Sequence, residues 1–326
     1  MSLDADYIVD RRRLRRKLTF WRVFAVLIAV GAVITAAVIA SSEDGVVAPG
    51  SAYIARVKIQ GLIRGDAERV EALERLARSS AKAVVVHIDS PGGTTAGAEQ
   101  LHDALRRLSA RKPTVTVVDG LAASGGYIAA LGSDHIVAQG TSLVGSIGVL
   151  FQYPNVADLL KTLGVKVEEV KSSPLKAAPS GFEPTSVEAR AAVEAIVMDS
   201  YAWFRGLVRE RRNLDSDLLA RVADGRVFTG RQAVALRLVD EIGDEKTAIQ
   251  WLARQKGIDA TTPVRDWRLK SQLRDLSFLH LGAAAVLDAV GLSGIARRIE
   301  EAGTVRALER LNLDGLLALW HPPSVN

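Results

Sequence analysis

Apolar residues along this chain fall into short runs, separated by stretches whose apolar positions lie three and four apart. Residues 53–59 read as a strand and 67–77 as an amphipathic helix. Residues 84–88 form a continuous apolar run that ends at Ser90-Pro91-Gly92-Gly93. A helix is expected over 96–108, a strand over 115–118, a short small-residue helix over 128–131 and a strand over 135–138. Next come a helix over 155–163, a strand over 165–170 and a loop over 171–184 rich in Ser, Pro, Ala and Gly. A long helix over about 186–211 carries Val193, Val197, Tyr201, Phe204 and Val208 at helical steps, and two shorter helices surround Gly225–Gly230. Apolar strands without strict alternation, separated by helices, predict an α/β fold with a mainly parallel sheet covered on both faces. Such sheets place binding sites beyond the carboxyl ends of their strands. The glycine-rich loops 90–93 and 122–126 both fall there. No internal repeat is present, and 52–257 reads as one domain. After residue 257 the pattern changes to a C-terminal helical extension, 258–326, with an alanine-rich packing helix at 280–295 and an apolar tail, Leu316–Trp320.

The longest uncharged run lies near the start of the chain. Residues 23–40 carry no charge. As a helix they span roughly 27 Å, close to a hydrocarbon core of about 30 Å. Seven basic residues against three aspartates precede or overlap it within 1–40, and Phe20 and Trp21 stand at its edge. The basic cluster stays inside, which sends 41–326 across the membrane. The expected organisation is a cytoplasmic basic segment 1–22, a transmembrane helix 23–40 and a linker 41–51. A cleaved signal peptide is the alternative, although the run exceeds the usual signal core of about 7–15 residues. The net charge of +5 is thus mostly a property of the flank, and the rest of the chain does not look like a nucleic-acid-binding domain. With 326 residues and 48% hydrophobic content a sizeable core is expected. The absence of cysteine excludes disulfides, thiolate metal sites and cysteine nucleophiles.

Chemistry concentrates at Ala122-Ala123-Ser124-Gly125-Gly126-Tyr127. A serine on a tight strand-to-helix turn is pushed out of the sheet, where backbone N–H groups can face an oxyanion. The glycines of Ser90-Pro91-Gly92-Gly93 permit close backbone approach and can supply a second donor. No histidine stands where a Ser-His-Asp triad needs one. His87 reads as a hydrogen-bonded core residue, His102 as helical, and His135 as the start of a strand. No metal-ligand spacing and no dinucleotide fingerprint is present.

Several segments together resemble the signal peptide peptidase A family of membrane-anchored serine proteases, the protease IV type, related in fold to the Clp protease subunit and the crotonases. They are Asp89-Ser90-Pro91-Gly92-Gly93, the Ser124 segment, Val144-Gly145-Ser146-Ile147-Gly148-Val149, the Lys171–Lys176 loop and Asp224-Gly225-Arg226-Val227-Phe228-Thr229-Gly230. They follow family order over about 52–257. The resemblance implies Ser124 as nucleophile, Lys176 as general base, Ser146 as the residue that orients the lysine, and the N–H groups of Gly93 and Gly125 as oxyanion donors. The lysine loop departs from the family pattern, with Ser173 in place of glycine and Pro174 after it. A lysine base must be neutral, so its pKa must fall from about 10.4 to about 7–8, a cost of roughly 3–5 kcal/mol against the charged form. Desolvation away from carboxylates does this, and residues 171–182 contain no acidic side chain. The family further implies a Ser-Lys endopeptidase without cofactor, on the outer, periplasmic face of a bacterial inner membrane, cleaving apolar peptides such as remnant signal peptides. It also implies a ring-like homo-oligomer in which neighbouring protomers share the site. The alternatives are a non-catalytic membrane scaffold or peptide binder on the same fold, and a crotonase-like acyl-CoA enzyme, against which the anchor and the Ser/Lys pair argue. The tail 316–320 is a candidate to occupy a groove of its own or of a neighbouring subunit.

Overall fold

The computed structural model describes residues 52–269 and 317–320, together with the isolated positions Lys17, Trp21 and Gly31. The expected transmembrane helix 23–40 apart from Gly31, most of its basic flank, the linker 41–51 and the helix at 280–295 lie outside the described residues. Among the described residues no helix is long and apolar enough to cross a membrane.

The chain alternates strands and helices as the apolar pattern predicts. Strand β1 (Tyr53–Gln60) leads to helix α1 (Ala67–Arg78), then β2 (Ala81–Ser90), the short β3 (Gly92–Thr94) and α2 (Thr95–Ser109). Then follow β4 (Thr114–Ala123), α3 (Gly125–Ala130), β5 (His135–Ala138) and β6 (Leu143–Gly145). Asp66 and Thr94 start their helices by accepting from the N–H groups of Arg69 and Gly97, so each strand-to-helix turn is closed by a side-chain cap. Helices α4 (Ala157–Thr162), α5 (Val187–Arg212) and α6 (Ser216–Val222) follow. The remaining elements are β7 (Val227–Thr229), α7 (Gly230–Ala235), β8 (Glu241–Ile242), α8 (Glu245–Lys256), β9 (Val264–Asp266) and β10 (Leu317–Leu319).

The main sheet runs β7-β6-β4-β2-β1-β9, with β5 and β8 branching from β4. All of its pairings are parallel except β6 with β7. Strand β4 divides its partners: Val115–Val118 pairs with β5, whereas Leu121–Ala123 pairs with β6. The continuous apolar run of β2 resolves into two buried faces. Ala83 and Val85 join Val115, Val117, Ala248 and Leu252 under α8. Val84, Val86 and Ile88 instead pack with Leu73, Leu76, Leu101 and Leu105 of α1 and α2. A strand covered on both sides shows no alternation in sequence, because both of its faces are apolar.

Helix α8 is tied to the sheet by charge. Arg56 of β1 makes a bidentate pair with Glu245, both contacts at 2.6 Å, and Glu245 also meets His87 Nε2 at 2.7 Å. Asp119 holds the other ring nitrogen of His87 at 2.8 Å. His87 is therefore a hydrogen-bonded tie between β2, β4 and α8.

Two expectations are corrected. Residues 165–170 form no strand; Val165, Val167 and Val170 are exposed, Val170 completely. An apolar run becomes a strand only when a neighbouring strand takes its backbone hydrogen bonds, and the chain offers none there. Nor does the sheet stop at residue 257. Val264–Asp266 adds an edge strand in parallel to β1, with Ile54 against Val264, and Leu317–Leu319 is a strand where a helical extension was expected.

Candidate active site

Ser124 joins the end of β4 to the start of α3, with φ 53° and ψ −116°. This left-handed conformation is unfavourable for a residue with a side chain. Several hydrogen bonds hold it. Its N–H donates to the Gly145 carbonyl at 2.8 Å, and its own carbonyl accepts from the N–H groups of Tyr127 and Ile128, both at 2.9 Å. The side chain is almost fully buried, and its Oγ reaches the Gly148 carbonyl at 3.5 Å. Beneath it, Tyr127 is wholly buried and donates its hydroxyl to the Leu238 carbonyl at 2.7 Å. Burial pushes the Tyr127 phenol well above its ordinary pKa.

The second glycine loop packs directly against this turn. Gly92 has φ 104°, and a Cβ placed on it would lie 2.7 Å from the Gly125 nitrogen, so glycine is required there. Ile63 holds β3 in place: its N–H donates to the Gly92 carbonyl at 2.8 Å and its carbonyl accepts from Thr94 N–H at 2.9 Å. Successive residues of an extended strand turn their polar groups to opposite edges. The N–H and carbonyl of Gly93 therefore face away from Ile63. Ser90 Oγ, which accepts from Gly92 N–H at 3.1 Å and donates to the Gly61 carbonyl at 2.7 Å, fixes the entry to the loop.

Ser146 follows Gly145 and also has a positive φ, 50°. It is buried, and its N–H donates to the Arg226 carbonyl at 2.8 Å. Strand pairing thus gathers Ser124, Gly93, Gly125 and Ser146 at one end of the sheet. Lys176 is not among them. It is exposed on the 171–179 turn, its N–H donates to the Ser173 carbonyl at 3.1 Å, and within one chain it makes no hydrogen bond to Ser124 or Ser146. The two lysines of this loop differ. Lys171 is held by Glu169 at 2.6 Å and Glu183 at 2.7 Å. Those hydrogen bonds, Glu169 first, raise its pKa above the ordinary lysine value.

Among the described residues the other two histidines stand in helix and sheet. His102 lies on α2, with burial pushing its pKa down. His135 stacks on Trp251 at 4.6 Å between ring centres and is likewise lowered by burial. Among the described residues no group of three or more His, Asp or Glu is arranged to hold a metal. Sequence reasoning missed the part played by Ile63 and the contact of the Gly148 carbonyl with Ser124. Gly148 lay inside a segment already singled out, whereas Ile63 carried no signal.

Comparison with known proteins relates the chain to proteases. A model of peptidase family S49 matches residues 106–259, a range that contains Ser124, Ser146 and Lys176. A model of the Clp protease family matches residues 65–138, which contain Gly93 and Ser124. A candidate protease of Synechocystis is 36% identical over 208 residues, which cover 63% of this chain and 75% of the relative. A candidate protease of Methanocaldococcus jannaschii is 35% identical over 173 residues, 53% of this chain and 56% of the relative. A candidate signal peptide peptidase of Enterococcus faecium is 35% identical over 182 residues, 55% and 53% respectively. The chain spans only about half the length of these last two relatives.

Proposed function

The chain belongs to peptidase family S49, the signal peptide peptidase A family of proteases, and on that premise we propose that Ser124 is its nucleophile and Lys176 its general base. The observation that carries this reading is the strained, buried Ser124 turn packed against the Gly92-Gly93 loop. Ser124 Oγ attacks a peptide carbonyl while neutral Lys176 takes its proton. The Gly93 and Gly125 N–H groups hold the oxyanion. Lys176 returns the proton to the leaving amine and then activates water to release the acyl group. Ser146 orients the lysine. No cofactor or metal takes part.

Two observations support a site shared between protomers. Lys171 takes the ion pairs to Glu169 and Glu183, while Lys176 stands exposed on the same loop, where a neighbouring protomer can reach it. The segment 151–198 also exposes Leu163, Val165, Val170, Leu175, Phe182, Val187, Ile196 and Met198. Exposed apolar side chains gathered in one segment support its use as an interface. The protein assembles as a ring-like homo-oligomer, anchored in a bacterial inner membrane by residues 23–40, with the catalytic domain on the outer face. Its substrates are extended apolar peptides such as remnant signal peptides; nucleic acid is not a partner.

The test is peptide hydrolysis by the assembled protein, with Ser124→Ala, Lys176→Ala and both variants co-expressed. Each variant alone should be inactive, and mixed assemblies should regain part of the activity. Unchanged cleavage by either single variant would refute the dyad, and inactive mixed assemblies would refute the shared site.

A further inference from the structure

The edge of β3 that faces away from Ile63 is occupied by the chain's own tail. Strand β10 runs antiparallel to β3, with Leu319 against Gly92, Ala318 against Gly93 and Leu317 against Thr94. Its other edge meets Leu150: the N–H of Leu317 donates to the Leu150 carbonyl and the N–H of Leu150 to the Leu317 carbonyl, both at 3.1 Å. Trp320 N–H then donates to the Pro91 carbonyl at 2.7 Å. The tail is thus a single extended strand lying between the two segments that flank Ser124. Because Leu317 turns its polar groups to Leu150, Ala318 turns its own to Gly93. Its carbonyl oxygen lies so near the glycine loops that a Cβ on Gly92 would come within 2.0 Å of it and one on Gly125 within 2.9 Å. Ala318 is fully buried and Leu317 nearly so.

We propose that β10 is a built-in pseudosubstrate that closes the peptide groove of this protein. Its register marks Ala318 as the stand-in for the substrate residue whose carbonyl meets Gly93 and Gly125. The groove then takes an extended peptide by strand addition, with backbone hydrogen bonds giving affinity and side-chain room giving selectivity. A fully buried alanine at the marked position favours a small side chain there, with leucines on either side. This rests on the Ser124 reading for the word substrate; the binding of a strand rests on the pairing alone. A tethered segment acts at an effective concentration of about 1 mM. With a dissociation constant of about 0.1 mM for the free segment, the groove is open roughly one part in ten, and an added peptide binds about tenfold more weakly to the intact chain.

The experiment uses a fluorescent peptide of sequence Leu-Leu-Ala-Leu-Trp and measures its binding by anisotropy. The full-length Ser124→Ala protein is compared with the same protein carrying Leu317→Pro and Trp320→Pro, which delete two donors of the tail. A second variant ends at residue 316, in case the prolines disturb folding. Both tail variants should bind the peptide about tenfold more tightly than the intact chain, and replacing the central alanine of the peptide with phenylalanine should abolish the gain. Equal affinity for intact and altered tails, or no binding by any of them, would overturn the proposal. Tight binding by the tail variants, with no hydrolysis of the same peptide once Ser124 is restored, would instead overturn the Ser124 mechanism and leave the groove assignment standing.

Discussion

Gly93→Ala joins the packing of the fold to the chemistry of the site. A Cβ on Gly93 would stand 1.8 Å from the Ile63 carbonyl oxygen, 2.6 Å from its carbon and 2.7 Å from the Ile63 nitrogen. All three are backbone atoms, so no rotamer change relieves the clash. Strand β3 must move from Ile63 by more than an ångström, which breaks the hydrogen bonds at 2.8 Å and 2.9 Å that hold it. Overpacking costs about 1–3 kcal/mol, and two lost hydrogen bonds add about 1 kcal/mol each. The expected destabilisation is about 3–5 kcal/mol. At about 2–4 °C per kcal/mol for a domain of this size, Tm falls by at least about 6 °C. The same movement carries the Gly93 N–H off the oxyanion position proposed for it, and loss of one such donor lowers kcat by about 10²–10³. Gly206→Ala on α5 is the control. Its Cβ would meet nothing within 4 Å, so Tm should not fall and kcat should stay near that of the parent. Calorimetry and steady-state peptide hydrolysis on both variants make the comparison. A Gly93→Ala protein with parental Tm and kcat would refute the reasoning.

Tyr127→Phe leaves the buried Leu238 carbonyl without its donor; it should lose about 1–3 kcal/mol, read as a Tm lower by several degrees. Arg56, through its hydrogen bonds, and then His87 hold Glu245 below its ordinary pKa of 4.5. Its stabilising contribution is therefore full above about pH 4.5 and lost as pH falls through the lowered folded value. The Tm gap between Glu245→Gln and the parent should accordingly be wide at neutral pH and narrow in acid; a gap independent of pH would contradict this. Ile196→Glu with Met198→Glu places charge on the exposed first half of α5 and should reduce the proposed ring to smaller species by light scattering, with Tm of the domain nearly unchanged.

What the sequence disclosed and what it withheld follow from how each feature is encoded. Strands β2 and β4 are buried on both faces over most of their length, and β1 alternates buried apolar with polar positions, so all three runs are legible. Ser124 announces itself through the small residues around it, because a turn packed this closely tolerates nothing larger. Edge strand β9 escaped notice: it is three residues long, reads Val-Arg-Asp, and is only partly covered. The 165–170 run misled because its valines carry the strand signal while facing solvent in the single chain. Composition cannot tell an apolar residue buried in its own fold from one awaiting a neighbour. Lys176 belongs to the same class: the family resemblance names it, but one chain does not bring it to Ser124.

The division of β4 between two partners bears on how the protein is made. Ser124 takes its conformation from Gly145, Ser146 from Arg226, and Gly93 its position from Ile63. These anchors are scattered over more than half of the described chain, and each joins segments distant in sequence. Long-range pairings of this kind form late, because long loops must close before any contact rewards them. A chain completed only to residue 150 therefore holds Ser124 without the Arg226 contact that fixes Ser146, and the candidate site is assembled only once the 226–229 strand has docked.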